Sequence, residues 1–303
     1  MSDIVALQPD QGRENPGMAD TSVPERISPP IRLLQLGQTL QGLREQAGLT
    51  GQQVAERTGI TSSALSRLER GQNRYATAGD VHTLLNLYGA EPDRRQECLR
   101  LVTTARITPY WAEHRRGLGG LVEYVAYETE AELIRYWHPV LVPGLLQTEE
   151  YAWAVLTALR FDDDPSVVAL KVRARLARQW ITRCPTPAQV HAIVAEGALR
   201  QPIGGPEVLR GQLDRLAQEA LMPHITVQVL PNSVGAHPGM SGGFVLLSLP
   251  SMGDALFVES GGGGIIDRDE QRVEDSGRVF GRLSDMALSP DESAQLISDI
   301  ARS

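Results

Sequence analysis

Two short helices separated by a tight glycine turn are written into the stretch TGQQVAERTGITSSALSRLERG, Thr50 to Gly71, and they constrain the first third of the chain more than anything else does. Thr50 is a hydroxyl cap and Gln53 stands three positions on, the spacing of a capping box, while Val54 and Ala55 face inward. Gly59 closes this helix in the left-handed conformation that glycine adopts without penalty. Thr61 caps the next helix, and Ile60 with Leu65 has the spacing of a hydrophobic staple. Steps of about 100° per residue then gather Ser62, Ser63, Ser66, Arg67 and Arg70 on one arc, with Ala64, Leu65 and Leu68 opposite. A helix before this pair is marked by Leu36, Leu40, Leu43 and Ala47 and stops at Gly48. Another after it is capped by Thr77, carries Val81, Leu84, Leu85 and Tyr88, and stops at Gly89; residues 93–107 can supply a fifth.

Charge divides along the chain in a way that bears on this surface. From Arg32 to Arg116 twelve arginines stand against eight carboxylates, whereas the whole chain carries −8, so the remainder carries −12. Phosphate binding needs local positive charge, and a basic head on an acidic body fits a nucleic-acid-binding part borne by a part that does not bind nucleic acid. B-DNA admits one helix to its major groove, and bases are reached from the first turns of that helix by short side chains. Ser62 and Ser63 meet that requirement. Arg67 can add the bidentate contact to guanine.

The run LREQAGLTGQQVAERTGITSSALSRLERGQ, Leu43 to Gln72, resembles the helix-turn-helix of the XRE family, which includes the phage Cro and lambda-type repressors. The matching positions are Leu49, Thr50, Val54 and Ala55 in the second helix and Thr61, Leu65, Ser66, Leu68, Glu69 and Gly71 in the third. The resemblance implies that Ser62, Ser63 and Arg67 read bases and that Gln72 and Arg74 lie in a loop approaching phosphates. Gly51 stands where the family often has a glutamine that bonds the DNA backbone, which leaves Gln52 or Gln53 to replace it. The family also pairs Glu69 with an arginine on helix one, here Arg44. A partly buried glutamate needs such a partner, so this ion pair is expected to be structural. The expected DNA contacts are thus Gln52, Gln53, Thr61, Ser62, Ser63, Ser66, Arg67, Arg70, Gln72 and Arg74.

The rest of the chain has another texture. Residues 111–184 read as helices, including YVAYETEAELIRYW, a segment from about Glu149 to Leu159 and one from Pro165 to Thr182. Four short runs rich in Val and Ile then read as strands: AQVHAIVA, ITVQVLP, GGFVLLSL and ALFVES. A helix, GPEVLRGQLDRLAQEAL, separates the first two, and two more begin near Gln271 and Pro290. The expected fold is therefore an all-α lambda-repressor-like domain over residues 32–106, then an α+β domain over 107–303 with a small antiparallel or mixed sheet. Residues 1–31, rich in Pro, Gly, Asp and Ser, are expected to form a disordered tail.

Three segments of this second part, EAELIRYWHPVLVPGLLQTEEYA, GALRQPIGGPEVLRGQLDRLAQ and ITVQVLPNSVGAHPGMSGGFVLL, resemble the C-terminal domain of actinobacterial XRE-type regulators of the WhiJ-like group. That group implies a toxin-and-antitoxin-like arrangement with a small partner protein encoded nearby. The resemblance leaves open whether the domain senses a small effector, docks the partner or holds a dimer. The segment His138 to Thr148 is the best functional loop candidate there, although plain core packing is the favoured reading of its two prolines and its Leu and Val residues. Tyr124, Tyr127, Tyr136 and Trp137 suit a ligand cage or a packed face.

Enzyme motifs compete poorly. Gly239-Met240-Ser241-Gly242-Gly243 matches G-x-S-x-G, but a nucleophile elbow needs a helix after the serine and a strand follows here. The run Gly261 to Gly264 lacks the strand-then-helix setting of a phosphate loop and reads as a mobile loop. Cys98 and Cys184 are far apart without metal-ligand spacing and read as reduced thiols, and no cofactor or metal is expected. Nor is any export signal or membrane span legible, so a cytoplasmic chain is expected. The favoured function is a sequence-specific transcription regulator acting as a homodimer on an inverted-repeat operator in double-stranded DNA. The competing one is an antitoxin-like module that restrains a small partner and binds DNA only for autoregulation.

Overall fold

Leu36, Leu40, Val54, Leu65, Leu68, Val81, Leu84 and Leu101 form one buried cluster near the N-terminus, built from five helices. In the computed structural model, which describes residues 26–250, 252–260 and 263–302, these are α1 (Pro29–Gln46), α2 (Gly51–Thr58), α3 (Ser62–Glu69), α4 (Ala78–Leu87) and α5 (Pro92–Thr104). Close approach of α3 to α1 depends on two glycines. A methyl at Gly37 would lie 2.5 Å from the carbonyl oxygens of both Leu68 and Glu69, and one at Gly71 would lie 2.7 Å from Leu34 Cα. Gly71 is also left-handed, at φ 69°. Gly71→Ala is therefore expected to cost more than the roughly 1–2 kcal/mol of a left-handed L-residue, because backbone must also move. Urea unfolding followed by circular dichroism checks this: the midpoint falls, and an unchanged midpoint would contradict the packing.

Helix α1 starts earlier than the sequence reading allowed. Residues 1–25 of the expected tail lie outside the described residues, but 26–31 belong to the fold. Ile27 and Ile31 are buried, and Pro29 and Pro30 occupy the first turn, where a missing N–H costs nothing. Ile31 packs in the core of the second domain while Leu36 and Leu40 pack in the first, so a single helix joins the two cores.

The second domain continues through α6 (Arg115–Leu118), α7 (Val122–Glu130), β1 (Leu133–His138), α8 (Glu149–Leu159), α9 (Pro165–Arg178), β2 (Gln189–Ala195), α10 (Glu196–Arg200), α11 (Pro206–Glu219), β3 (Ile225–Leu230), β4 (Phe244–Leu249), β5 (Gly253–Ser260), β6 (Gly263–Asp267), α12 (Glu270–Met286) and α13 (Pro290–Arg302). The sheet is mixed, in the order β3-β2-β1-β4-β5-β6. β1, β2 and β3 run parallel, and the pairs from β1 through β4 and β5 to β6 are antiparallel. On one face Ile134, Tyr136, Val194, Val227, Leu247 and Phe257 pack with α7, α9, α11 and α13. On the other, Trp137, Ile193 and Leu246 pack against Phe280 and Leu283 of α12. The fold is thus helices followed by α+β.

Two strands correct the sequence reading. Residues Leu133 to Trp137, expected to be helical, and His138, expected in the break after them, form β1 in the middle of the sheet. Ile134, Tyr136 and Trp137 are all buried, so the run shows no alternation, and its division from α7 is made by the extended Ala131. Gly263 and Gly264, expected in a mobile loop, open β6, where the ring of Phe257 occupies the space a side chain at Gly264 would need.

Candidate nucleic-acid interface

Helix α3 is anchored from both ends and from below. Thr61 Oγ1 accepts from the Ala64 amide at 3.2 Å, and Leu65 and Leu68 are buried. Upstream, Thr50 Oγ1 accepts from Gln53 N at 3.3 Å while Gln53 Oε1 accepts from Thr50 N at 2.9 Å, which completes the capping box of α2. Gly59 has φ 76°, in the left-handed region. Arg44 holds the far end: its Nε donates to Glu69 Oε1 at 2.6 Å and its Nη2 to Oε2 at 3.1 Å, and its Nη1 donates to the Leu49 carbonyl at 2.9 Å. One guanidinium thereby ties α1, α3 and the turn before α2 together.

The outward surface then has a definite composition. Thr61, Ser62, Ser63, Arg67, Arg70, Gln72 and Arg74 are exposed, as are Gln52 and Gln53 of α2, whereas Ser66 is half-buried. Arg67 Nη1 donates to Ser63 Oγ at 2.7 Å, and Arg70 Nη1 donates to Ser66 Oγ at 2.7 Å. Both arginines lie along the helix surface, held by weak local bonds that a base edge or a phosphate can replace. Gln53 spends its carbonyl oxygen on the cap and keeps its NH₂ group for outside contact. Gln52 Nε2 donates to Glu56 at 3.2 Å. Ser62 Oγ donates to the Gly51 carbonyl at 3.3 Å, so the residue at the departure from the family pattern touches the helix it precedes.

Two residues outside the sequence-based set belong to the same surface. Tyr75, beside Arg74, is 88% exposed. Arg106 Nη2 donates to the Ala76 carbonyl at 2.9 Å and so braces the loop that carries Arg74 and Tyr75. An exposed aromatic beside an arginine was the available signal for Tyr75; none pointed to Arg106, 30 residues away from its acceptor in sequence.

The candidates in the second domain resolve differently. Val142, Leu145 and Leu146 of the His138 to Thr148 segment are buried in the core. Tyr124 and Tyr136 are buried as well, and their hydroxyls donate to Glu128 Oε1 at 2.6 and 3.1 Å. Glu128 in turn accepts from Arg178, Nε to Oε2 at 2.8 Å and Nη2 to Oε1 at 2.7 Å. Burial and the Glu128 charge hold both tyrosines well above the ordinary phenol range. Ser241 lies in a turn ahead of β4, and Asp254 is engaged by Arg135. Cys98 and Cys184 are buried and unpaired, and burial pushes the Cys98 thiol up to about 11. No helix among the described residues is long and apolar enough to cross a membrane.

Two family models match separate stretches of the chain. A helix-turn-helix domain model matches residues 35–98, which contain every candidate interface residue above except Arg106, so the N-terminal domain is the DNA-binding part of a regulator. A second model, described as a domain of unknown function (DUF5753), matches residues 121–299. No curated protein and no solved structure matches the chain. With more than half its length in that second match, the chain belongs to the DUF5753 family, and it carries a helix-turn-helix domain ahead of the family's defining segment.

Proposed function

We propose that this protein is a cytoplasmic XRE-type transcription regulator that binds an inverted-repeat operator as a homodimer, its second domain adjusting the grip of the first. The observation that carries the reading is the presentation of Ser62, Ser63 and Arg67 on the exposed side of a helix whose other side is fixed by Leu65, Leu68 and the Arg44–Glu69 pair. Dimerisation follows from size: one such domain buries too little surface for specific affinity, and two copies about 34 Å apart reach successive major grooves. Ser241, in its turn before a strand, is given no catalytic part. The test is to incubate the purified chain with sheared DNA of its own genome and sequence what is retained. Recovery of a short inverted repeat supports the reading, and retention without any shared sequence opposes it.

The antitoxin-like alternative has one observation in its favour. Trp153, Leu159 and Phe161, on α8 and the turn after it, are 40%, 58% and 82% exposed, apolar side chains of the kind a small partner protein covers. A stoichiometric small protein recovered with the chain from its native cell, and released by Phe161→Asp, would favour it.

A further inference from the structure

We propose that the cleft between α9 and the ends of β1 and β5 binds a small organic oxyanion, a carboxylate or phosphate monoester carrying an apolar group, with Arg175 meeting its charge. The cleft consists of two adjoining cavities of about 60 and 190 Å³ that share Leu121, Leu159, Arg175, Arg178 and Glu259. Its walls concentrate positive charge in the acidic part of the chain. Arg160, Lys171, Arg175 and Arg178 line it, against one lining carboxylate among the described residues, the exposed Glu259.

The cations differ in what they already hold. Arg178 is committed to Glu128, and Lys171 to Asp163. Arg175 has no ion pair among the described residues; its Nη1 donates to the neutral Oε1 of Gln147 at 2.9 Å, which leaves its other donors to the cleft. Burial, with Arg178 beside it, lowers the Arg175 pKa to about 10. A desolvated cation that has no direct ion pair among the described residues, and chiefly the field of the exposed Glu259 to oppose its burial, costs free energy that an arriving anion offsets. His138 adds a second unfilled position, since its buried Nδ1 has no partner among the described residues. Burial and the neighbouring Arg175 lower its pKa to about 4, so the ring is neutral near pH 7 and can donate or accept. Leu121, Leu141, Leu159 and Phe257 give the cleft its apolar lining.

The site also has a physical connection to the DNA-binding domain, a role that rests on the regulator reading. Helix α7 carries Tyr124 at the cleft and Glu128, the buried partner of the lining Arg178, and ends on Glu130. Glu130 Oε1 accepts from Arg32 Nε at 2.8 Å and from the Ser28 amide at 2.7 Å, both belonging to the start of α1. An anion seated beside Arg175 and against Tyr124 therefore bears on the helix that clamps α1.

Calorimetric titration of the full chain, without DNA, with sodium octanoate, phenyl phosphate and the neutral octanamide tests the site and separates the two anion sources. At least one of the two anions is expected to bind and octanamide to bind about tenfold or more weakly, the scale of one lost charge-assisted contact. Arg175→Met is expected to weaken the anion by a similar factor with the far-ultraviolet spectrum unchanged. Glu259→Gln, at an exposed position, keeps the test decisive if Arg175→Met fails to fold, because removing this lining carboxylate should tighten the anion severalfold. Equal binding of anion and amide, no binding of either anion, or indifference to the variants would overturn the proposal. Retention of genomic DNA is scored separately. Anion binding without sequence-specific retention would sink the regulator reading alone, and retention without anion binding would sink the site alone.

Discussion

Arg67→Ala is expected to lower affinity for the preferred operator by about 1–3 kcal/mol, roughly fivefold to 150-fold, and to relax base preference at one position in each half-site. The cause is geometric. Arg67 lies one turn after Ser63 on the exposed side of α3 and is held only by a 2.7 Å bond to that serine, so it can be redirected to a guanine edge without disturbing the core. Arg74→Ala should behave differently, because Arg74 sits in the loop after α3 rather than on the helix. It should weaken all sequences alike and reduce the slope of log affinity against log salt by about one. Binding of randomised half-sites at several salt concentrations measures both behaviours. Identical behaviour of the two variants would contradict the division between base reading and phosphate contact.

A larger effect on stability is expected inside the second domain. Arg178 and Glu128 are 5% and 0% exposed and meet through two hydrogen bonds, with Tyr124 and Tyr136 completing the environment of the carboxylate. Removing one partner of such a pair strands a buried charge. Arg178→Met should therefore destabilise the domain by about 3–5 kcal/mol. Glu128→Gln combined with Arg178→Met leaves the two tyrosine hydroxyls an acceptor and no charge to strand, so the double variant should regain much of the loss. Denaturant unfolding of the two single variants and the double variant supplies the cycle. If the double variant is as unstable as the sum of the singles, the charges are not coupled in the way the distances require.

These two sites differ in how far they could be read beforehand. The exposed face of α3 was legible because its determinants are local: Thr50 with Gln53, Gly59, and Thr61 act within a few residues, and helical spacing alone turns Ser62, Ser63 and Arg67 outward. The Glu128–Arg178 pair spans 50 positions and has no local signature. β1 was missed for a related reason, since a strand buried on both faces loses the alternation by which strands are recognised. Gly263 and Gly264 read as loop because the compensating surface, the ring of Phe257, comes from the neighbouring strand. The start of α1 was hidden by the tail-like composition around it, although Ile27 and Ile31, four apart across a Pro-Pro pair, carried the signal.

Methylation interference on a retained genomic fragment bears most directly on the entry of α3 into a duplex. N7 methylation of guanine blocks the major groove without changing pairing. The account predicts interference at guanines in two symmetric half-sites separated by about one helical turn, with the half-site signal at one position lost in Arg67→Ala. Interference confined to the minor groove, or no interference at any guanine while the fragment remains bound, would show that the exposed Ser62–Ser63–Arg67 face does not read DNA.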